Sequence, residues 1–334
     1  MDNEVAIPGG IPPVEELLES AVVVRLPMRT RFRGLLAREV MIFAGPAGWG
    51  EFGAFVEYDD AEAANWLRAG IEAAYLGPLP AVRSTVTVNA TVPAVPADQV
   101  AEVLSRYPGA RTAKVKVAEP GQHLDDDVER VAAARAVVDR VRVDANGKWS
   151  VAQAITALRA IGPVEYAEQP CATVEELAQV RRAVDVPIAA DESIRKAHDP
   201  LRVVAADAAD VAIVKVAPLG GMRATLATAE AIGLPVVVSS ALDSAVGMAA
   251  GVAAAAALPR LDLACGLGTG SLFTADVGPS FLPDDGRVHP RWFDAGSSLI
   301  SVDDQFVAPP DRDRWWRARL RRCHALLQRN GQDT

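Results

Sequence analysis

From about Ser84 onward, short β-branched runs alternate with alanine-rich stretches of helical period, and this alternation constrains the fold more than any other feature. The runs are Val86–Asn89, Ala113–Val117, Val141–Asp144, Val164–Glu168, Ile188–Asp191, Val211–Lys215, Val236–Ser239 and Leu261–Cys265. Parallel strands need a crossover between them, and a helix supplies it, so the pattern predicts βα units. Eight runs predict a closed, TIM-like α/β barrel, and about 250 residues are typical of one. An open doubly wound sheet is the alternative, but no Gly-rich phosphate loop follows any run.

The 334 residues exceed what such a barrel needs, and the remainder falls at the two ends. Val22–Phe55 reads as strands, with Gly45-Pro46-Ala47-Gly48 as a hairpin turn, and Asp59–Leu76 as one or two helices. That predicts a small α+β module. Arg312–Arg329 reads as a solvated helix with seven arginines, its Trp315 and Trp316 docked on that module. Pro8–Pro13 reads as a loose arm.

Composition removes several function classes. A net charge of −9 argues against general nucleic-acid binding. The longest apolar run, Ala245–Pro259, is alanine-rich and shorter than the ~20 residues of a membrane span; it reads as a buried barrel helix. No basic n-region precedes an apolar run at the N-terminus. Cys171, Cys265 and Cys323 are few, odd in number and far apart, so neither a disulfide framework nor a zinc site is expected. The expectation is a cytoplasmic protein without membrane or nucleic-acid partners. Its oligomeric state is not readable.

Charged residues fall at the ends of the strand runs. Lys116, Asp144, Glu168, Asp191 and Lys215 follow one another at intervals of 28, 24, 23 and 24 residues. One βα unit occupies about that length, so all five are expected on the C-terminal rim, where barrel enzymes keep their active sites. A single acid there reads as a cap for the next helix. Three acids on successive strands would repel one another unless a cation lay between them. Oxygen donors without His or Cys suit Mg²⁺, with Mn²⁺ as a substitute, rather than zinc.

In Lys114-Val115-Lys116-Val117 the strand period of two puts both ammonium groups on one face, roughly 6.6 Å apart. If the valines face the helices, both lysines point into the barrel, where burial and mutual repulsion would lower their pKa values. Lys215 lies four strands on, across the barrel. A substrate over the metal would then meet a lysine on each face. A proton α to a carboxylate leaves an enediolate when removed; a metal stabilises that charge and a lysine takes the proton.

Taken jointly, Lys114-Val115-Lys116, Asp144-Ala145-Asn146-Gly147, Glu168-Gln169-Pro170, Asp191-Glu192-Ser193 and Val214-Lys215-Val216 resemble the enolase superfamily, in its muconate-lactonising-enzyme-like subgroup. Phe32-Arg33-Gly34, Gly48-Trp49-Gly50-Glu51-Phe52 and Ser239–Gly247 are similar to actinobacterial-type o-succinylbenzoate synthases. The resemblance implies a (β/α)7β barrel over residues 84–283 and an α+β capping domain from residues 1–83 joined by 284–334. It implies Asp144, Glu168 and Asp191 as Mg²⁺ ligands and Lys116 as the base, which also helps hydroxide leave. Lys215 would hold the other face by cation–π attraction, and Lys114 would tune Lys116 or touch the carboxylate. Asn146, Ser239 and Ser240 would bind substrate, the serines at its succinyl end. The implied reaction is syn dehydration of 2-succinyl-6-hydroxy-2,4-cyclohexadiene-1-carboxylate to 2-succinylbenzoate, in menaquinone synthesis.

Ser239 stands where a histidine would end the seventh strand in the mandelate-racemase-like subgroup. An N-succinylamino acid racemase or dipeptide epimerase on the same scaffold is the alternative reading. The choice would lie in a lid around Met28–Gly34 and Gly45–Gly53 and in the loop after the seventh strand. A Schiff-base aldolase using Lys215 leaves the three carboxylates unexplained. A non-catalytic barrel predicts that Lys116→Ala changes affinity alone.

Overall fold

The computed structural model describes residues 10–195 and 200–330. The chain opens with helix α1 (Val14–Glu19), then strands β1 (Val22–Phe32), β2 (Leu35–Gly45) and β3 (Gly48–Phe52). These form one antiparallel sheet in that order. Arg33 and Gly34 both have positive φ, 51° and 78°, and close the β1–β2 hairpin as a two-residue loop with Phe32 opposite Leu35. Helix α2 (Asp60–Leu76) packs across the sheet. The contact is glycine on glycine: a Cβ on Gly50 would lie 2.1 Å from the Gly70 carbonyl oxygen. Only bare backbone on both sides permits that approach.

The barrel follows. Its elements are β4 (Val86–Thr87), β5 (Ala90–Val92), α3 (Val100–Ser105), β6 (Thr112–Lys116), α4 (Leu124–Arg135), β7 (Arg140–Asp144), α5 (Val151–Ile161) and β8 (Ala167–Glu168). Then come α6 (Val174–Ala183), β9 (Ile188–Ala190), α7 (Glu192–Arg195), α8 (Arg202–Ala205), β10 (Val211–Val214), α9 (Val216–Leu219), α10 (Met222–Ile232), β11 (Val236–Val238) and α11 (Ala245–Ala257). Strands β5 to β11 pair in sequence order, all parallel. Residues 265 and 266 close the ring: Cys265 bridges Val88 and Gly266 bridges Ser239.

Three expected strands differ from this; Val164–Glu168 is a strand only over Ala167–Glu168. Val86–Asn89 does not act as one barrel strand; Val86 and Thr87 pair antiparallel with β12 (Arg287–Val288), and the barrel strand proper starts at Ala90. Leu261–Cys265 contributes only its last residue to the ring. One bridge on each side meets the need for closure there, so no longer ladder forms.

The alanine-rich run forms α11, buried almost throughout, as its lack of polar residues requires. Below the mouth the barrel is filled by Tyr166, Ala189, Val211, Ile213 and Val237. The Arg142 guanidinium stacks 4.6 Å above the Tyr166 ring and donates to Asn89 Oδ1 at 3.1 Å. This plug leaves the mouth as the way in.

Helix α12 (Pro310–Asn330) returns to the N-terminal sheet and packs on α2 and β1. It is less solvated than its composition suggests. Trp316 is fully buried, edge-on to Phe52 at 5.4 Å, and donates to Glu39 Oε2. Arg319 is buried too, donating to the carbonyls of Ala54, Phe55 and Tyr58. Several other arginines pair with acids, among them Arg312 with Glu39 and Arg322 with Asp60. Part of the expected N-terminal arm, Pro8 and Gly9, lies outside the described residues; Pro12 is buried, and its carbonyl meets the His324 ring at 2.7 Å. The three cysteines are free and buried. Among the described residues no helix is long and apolar enough to cross a membrane.

Candidate active site

The strand register assembles the mouth. Lys116 pairs with Asp144 across β6 and β7, and Asp144 with Glu168 across β7 and β8. Glu168 pairs with Ala189, and Asp191 stands two residues further on, on the same face. Parallel partners sit about 4.8 Å apart, so the three acids and Lys116 form one row. Lys114 lies one pleat below. Val115 and Val117 face the helices and are buried. Across the ring, Val214 pairs with Val238, which brings Lys215 beside Ser239.

Asp144 and Glu168 are not needed as helix caps. Ser150 and Thr173 cap α5 and α6 themselves, each with a reciprocal bond from Gln153 or Glu176. The acids accept from cations instead. Lys114 Nζ donates to Glu168 Oε1 at 2.7 Å and lies 3.2 Å from Asp144 Oδ2. Lys116 Nζ donates to Asp144 Oδ2 at 2.5 Å and to Asn146 Oδ1 at 2.7 Å. Lys215 Nζ donates to Asp191 Oδ2 at 2.6 Å. Arg195 Nε donates to the other Asp191 oxygen at 3.1 Å.

The two neighbouring lysines part company. Burial pushes Lys116 below the ordinary lysine value; Asp144 opposes that push and the Lys114 charge assists it. Burial acts on Lys114 as well, but Glu168 and Asp144 outweigh it and raise its pKa well above normal. The expectation that both would be lowered is therefore corrected: Lys114 sits between two carboxylates, and Lys116 has one. Burial and then the Asp144 charge push Glu168 up to about 7. Burial would raise Asp191 too, yet Lys215 and Arg195 hold it down at about 2. Lys116 and Lys114 likewise overcome burial and hold Asp144 below the usual carboxylate range.

A hard divalent cation suits this donor set. It offers three carboxylates and no softer ligand. Glu168 Oε2 is buried and has no hydrogen-bond partner among the described residues, an acceptor that a cation would satisfy. Among the described residues no three acid, His or Cys side chains are already drawn together as a cage; ammonium groups stand against the carboxylates.

The inner pocket is lined by Lys114, Lys116, Lys215, Ser239, Ser240 and Arg33, among others. It opens into a groove of about 690 Å³, within the range of small-molecule sites. The β1–β2 hairpin forms its roof, with the Phe32 ring 5.3 Å from Lys116 Nζ. Ser240 Oγ is engaged with Thr269 Oγ1 at 2.5 Å. Asn146 bridges Lys116 and Glu192, its Nδ2 donating to Glu192 Oε1 at 3.3 Å. Thus Met28–Gly34 reaches the pocket through Phe32 and Arg33, but Gly45–Gly53 does not line it. That second segment is β3, held behind the mouth by α2. Arg195 and Thr269 escaped the sequence reading. Arg195 carried a signal, being four residues past Asp191 on a helix turn; Thr269 carried none.

Residues 97–296 match the Enolase C-terminal domain-like model and residues 23–74 the Enolase N-terminal domain-like model. The o-succinylbenzoate synthase of Mycobacterium tuberculosis is 61% identical over 320 residues, covering 95% of this chain and 97% of that one. Among solved structures, muconate lactonizing enzyme from Pseudomonas fluorescens superposes with a TM-score of 0.72 at 23% identity, covering 86% of this chain and 96% of that one. N-succinyl Arg/Lys racemase from Bacillus cereus superposes at 0.69 with 21% identity, covering 85% and 95%. These two share the fold. With the two domain models and the near full-length identity together, the chain belongs to the o-succinylbenzoate synthase family, a lyase branch of the enolase superfamily.

Proposed function

We propose that this enzyme dehydrates 2-succinyl-6-hydroxy-2,4-cyclohexadiene-1-carboxylate to 2-succinylbenzoate, with Mg²⁺ held by Asp144, Glu168 and Asp191. The observation that carries the reading is the single rim on which three carboxylates meet lysines from opposite sides of the barrel. Enzymes of the superfamily generally use a divalent metal, and Mn²⁺ has the charge and oxygen preference to replace Mg²⁺. When bound, the ion supplies positive charge for the substrate carboxylate as its α-carbon loses a proton.

The remaining work falls to side chains. Lys116 takes the α-proton, then returns a proton to the departing hydroxyl on the same face, which makes the elimination syn. Asn146 orients the Lys116 amine, since its Oδ1 accepts from Nζ. Lys114, between Glu168 and Asp144, pairs with both buried acids and holds them in place. Lys215 faces the diene from the opposite side and attracts its electrons by cation–π contact. Ser239 and Ser240 receive the succinyl end. Aromatisation drives the step forward.

A second reading has one observation behind it. Lysines on both sides of the mouth also suit deprotonation on one face and reprotonation on the other, as an N-succinylamino acid racemase or dipeptide epimerase needs. Turnover of the hydroxycyclohexadiene carboxylate beside a panel of N-succinylamino acids distinguishes the two. The dehydration is expected to dominate, to vanish with EDTA and to return with Mg²⁺ or Mn²⁺. Activity that survives exhaustive chelation refutes the metal assignment, and preferential racemisation refutes the dehydration.

A further inference from the structure

A second group of buried charges lies where β2 and β3 meet the loop after β11. Glu51, on β3, is 7% exposed. Its Oε2 accepts from the Ser244 N–H at 3.0 Å, from the Ser244 hydroxyl, and from the Gly247 N–H at 3.3 Å. A carboxylate from the N-terminal module therefore caps α11 in the barrel. The first turn of a helix has unsatisfied N–H groups, and Glu51 Oε2 accepts from the N–H groups of Ser244 and Gly247, so the contact is a hydrogen-bonded cap. Gly247 makes it possible: a Cβ there would lie 2.9 Å from the Glu51 carboxyl carbon.

Arg38, on β2, grips the same loop two residues earlier. Its Nε donates to the Leu242 carbonyl at 3.1 Å, and its Nη2 to the Gly53 carbonyl. The guanidinium stacks 4.2 Å from the Phe55 ring, which fixes its plane. Leu242 has a φ of 61°, a left-handed conformation uncommon for a residue with a side chain. Asp243, between the two anchor points, accepts from the Ala241 N–H through Oδ2. Its Oδ1 is buried with no hydrogen-bond partner among the described residues.

The anchored loop is also a wall of the pocket: Ser239, Ser240, Ala241 and Leu242 all line it. Neither Arg38 nor Glu51 lines the inner pocket or the groove. We propose that Arg38 and Glu51 are positioning residues, which act through the Ala241–Ser244 loop to shape the wall that receives the substrate's tail. Seating of the N-terminal module on the barrel and shaping of the pocket then become one event. Asp144, Glu168 and Asp191 sit on other strands or the loops after them.

The substrate in this inference rests on the dehydration reading, so the test has one arm without substrate. Hydrogen exchange of the full chain is followed in Glu51→Ala and Glu51→Gln. In Glu51→Ala the amides of Ser244, Val246 and Gly247 are expected to exchange at least tenfold faster, with the peptide over Val174–Ala183 unchanged. Glu51→Gln keeps an acceptor oxygen and is expected to retain most of the protection. In turnover, Glu51→Ala is expected to raise KM about tenfold and lower kcat no more than about threefold, and Gln to restore KM to within about threefold. If Glu51→Ala does not fold, Arg38→Met, which frees the Leu242 carbonyl, is expected to speed exchange at the Ala241 and Ser244 amides and to raise KM in the same way. Unchanged exchange in the loop overturns the proposal. So does a fall in stability with unchanged KM, or a folded Glu51→Gln protein as impaired as a folded Ala variant. Wild-type protein that fails to turn over the substrate overturns the dehydration reading instead, and the exchange result then decides this one.

Discussion

Replacing Lys114 and Lys116 separately with alanine should split catalysis from stability. The side chains differ by one pleat and in their surroundings. Lys116→Ala removes the proposed base. A positioned acid–base group contributes about 10²–10⁴-fold, or roughly 3–5 kcal/mol of barrier. Its structural cost is small: Asp144 keeps Lys114 at 3.2 Å, and Asn146 keeps its contact to Glu192. Two hydrogen bonds lost at this largely buried site cost about 1–3 kcal/mol. Lys114→Ala should behave in the opposite way. Glu168 Oε1 loses the Lys114 donor, and Oε2 had no partner among the described residues. An uncompensated buried carboxylate costs about 3–5 kcal/mol. That loss should shrink when Mg²⁺ is added, since a ligand that binds only the folded state stabilises it. Activity is followed by ultraviolet absorbance of the aromatic product, and stability by urea unfolding with EDTA or Mg²⁺. Lys116→Ala is expected to lose at least a hundredfold in kcat, and Lys114→Ala about tenfold. Equal, small losses in both variants would falsify the assignment of the base.

Two further outcomes follow from buried groups away from the mouth. Burial, and then the Asp243 charge, push the Glu51 carboxyl from 4.5 up to about 7, against the pull of Ser244 and Arg38; burial raises Asp243 too, against the Ala241 N–H, Arg38 and Lys215. An acid whose folded pKa lies above its unfolded value adds stability at low pH that is lost as pH rises from about 4.5 through about 7. Wild-type protein should thus lose up to about 3 kcal/mol across that window relative to Glu51→Gln; parallel thermal-unfolding curves against pH would count against it. Trp316→Ala removes a fully buried ring from between α12 and the N-terminal sheet. It should cost about 3–5 kcal/mol in chemical denaturation, and a loss below about 1 kcal/mol would mean that α12 is not held by that ring.

The amino-acid sequence by itself determined the layout of the barrel and of its rim. Strand and helix periods are local, and successive βα units must stack in parallel, so residues about 24 apart at strand ends meet at one mouth. That is why spacing alone places Lys116, Asp144, Glu168, Asp191 and Lys215 together. Tertiary structure alone decided what depends on neighbours distant in the chain. Lys114 and Lys116 are the same residue type two positions apart, yet burial beside Glu168 and Asp144 separates their proton affinities. Closure at Cys265 and Gly266, instead of a full eighth strand, depended on both edges of the sheet meeting there. The burial of Arg319 depended on three carbonyls more than 250 residues away in the chain. Arg38 and Glu51 meet the Leu242–Gly247 loop only because a folded module sits on a folded barrel, and no local pattern encodes that contact.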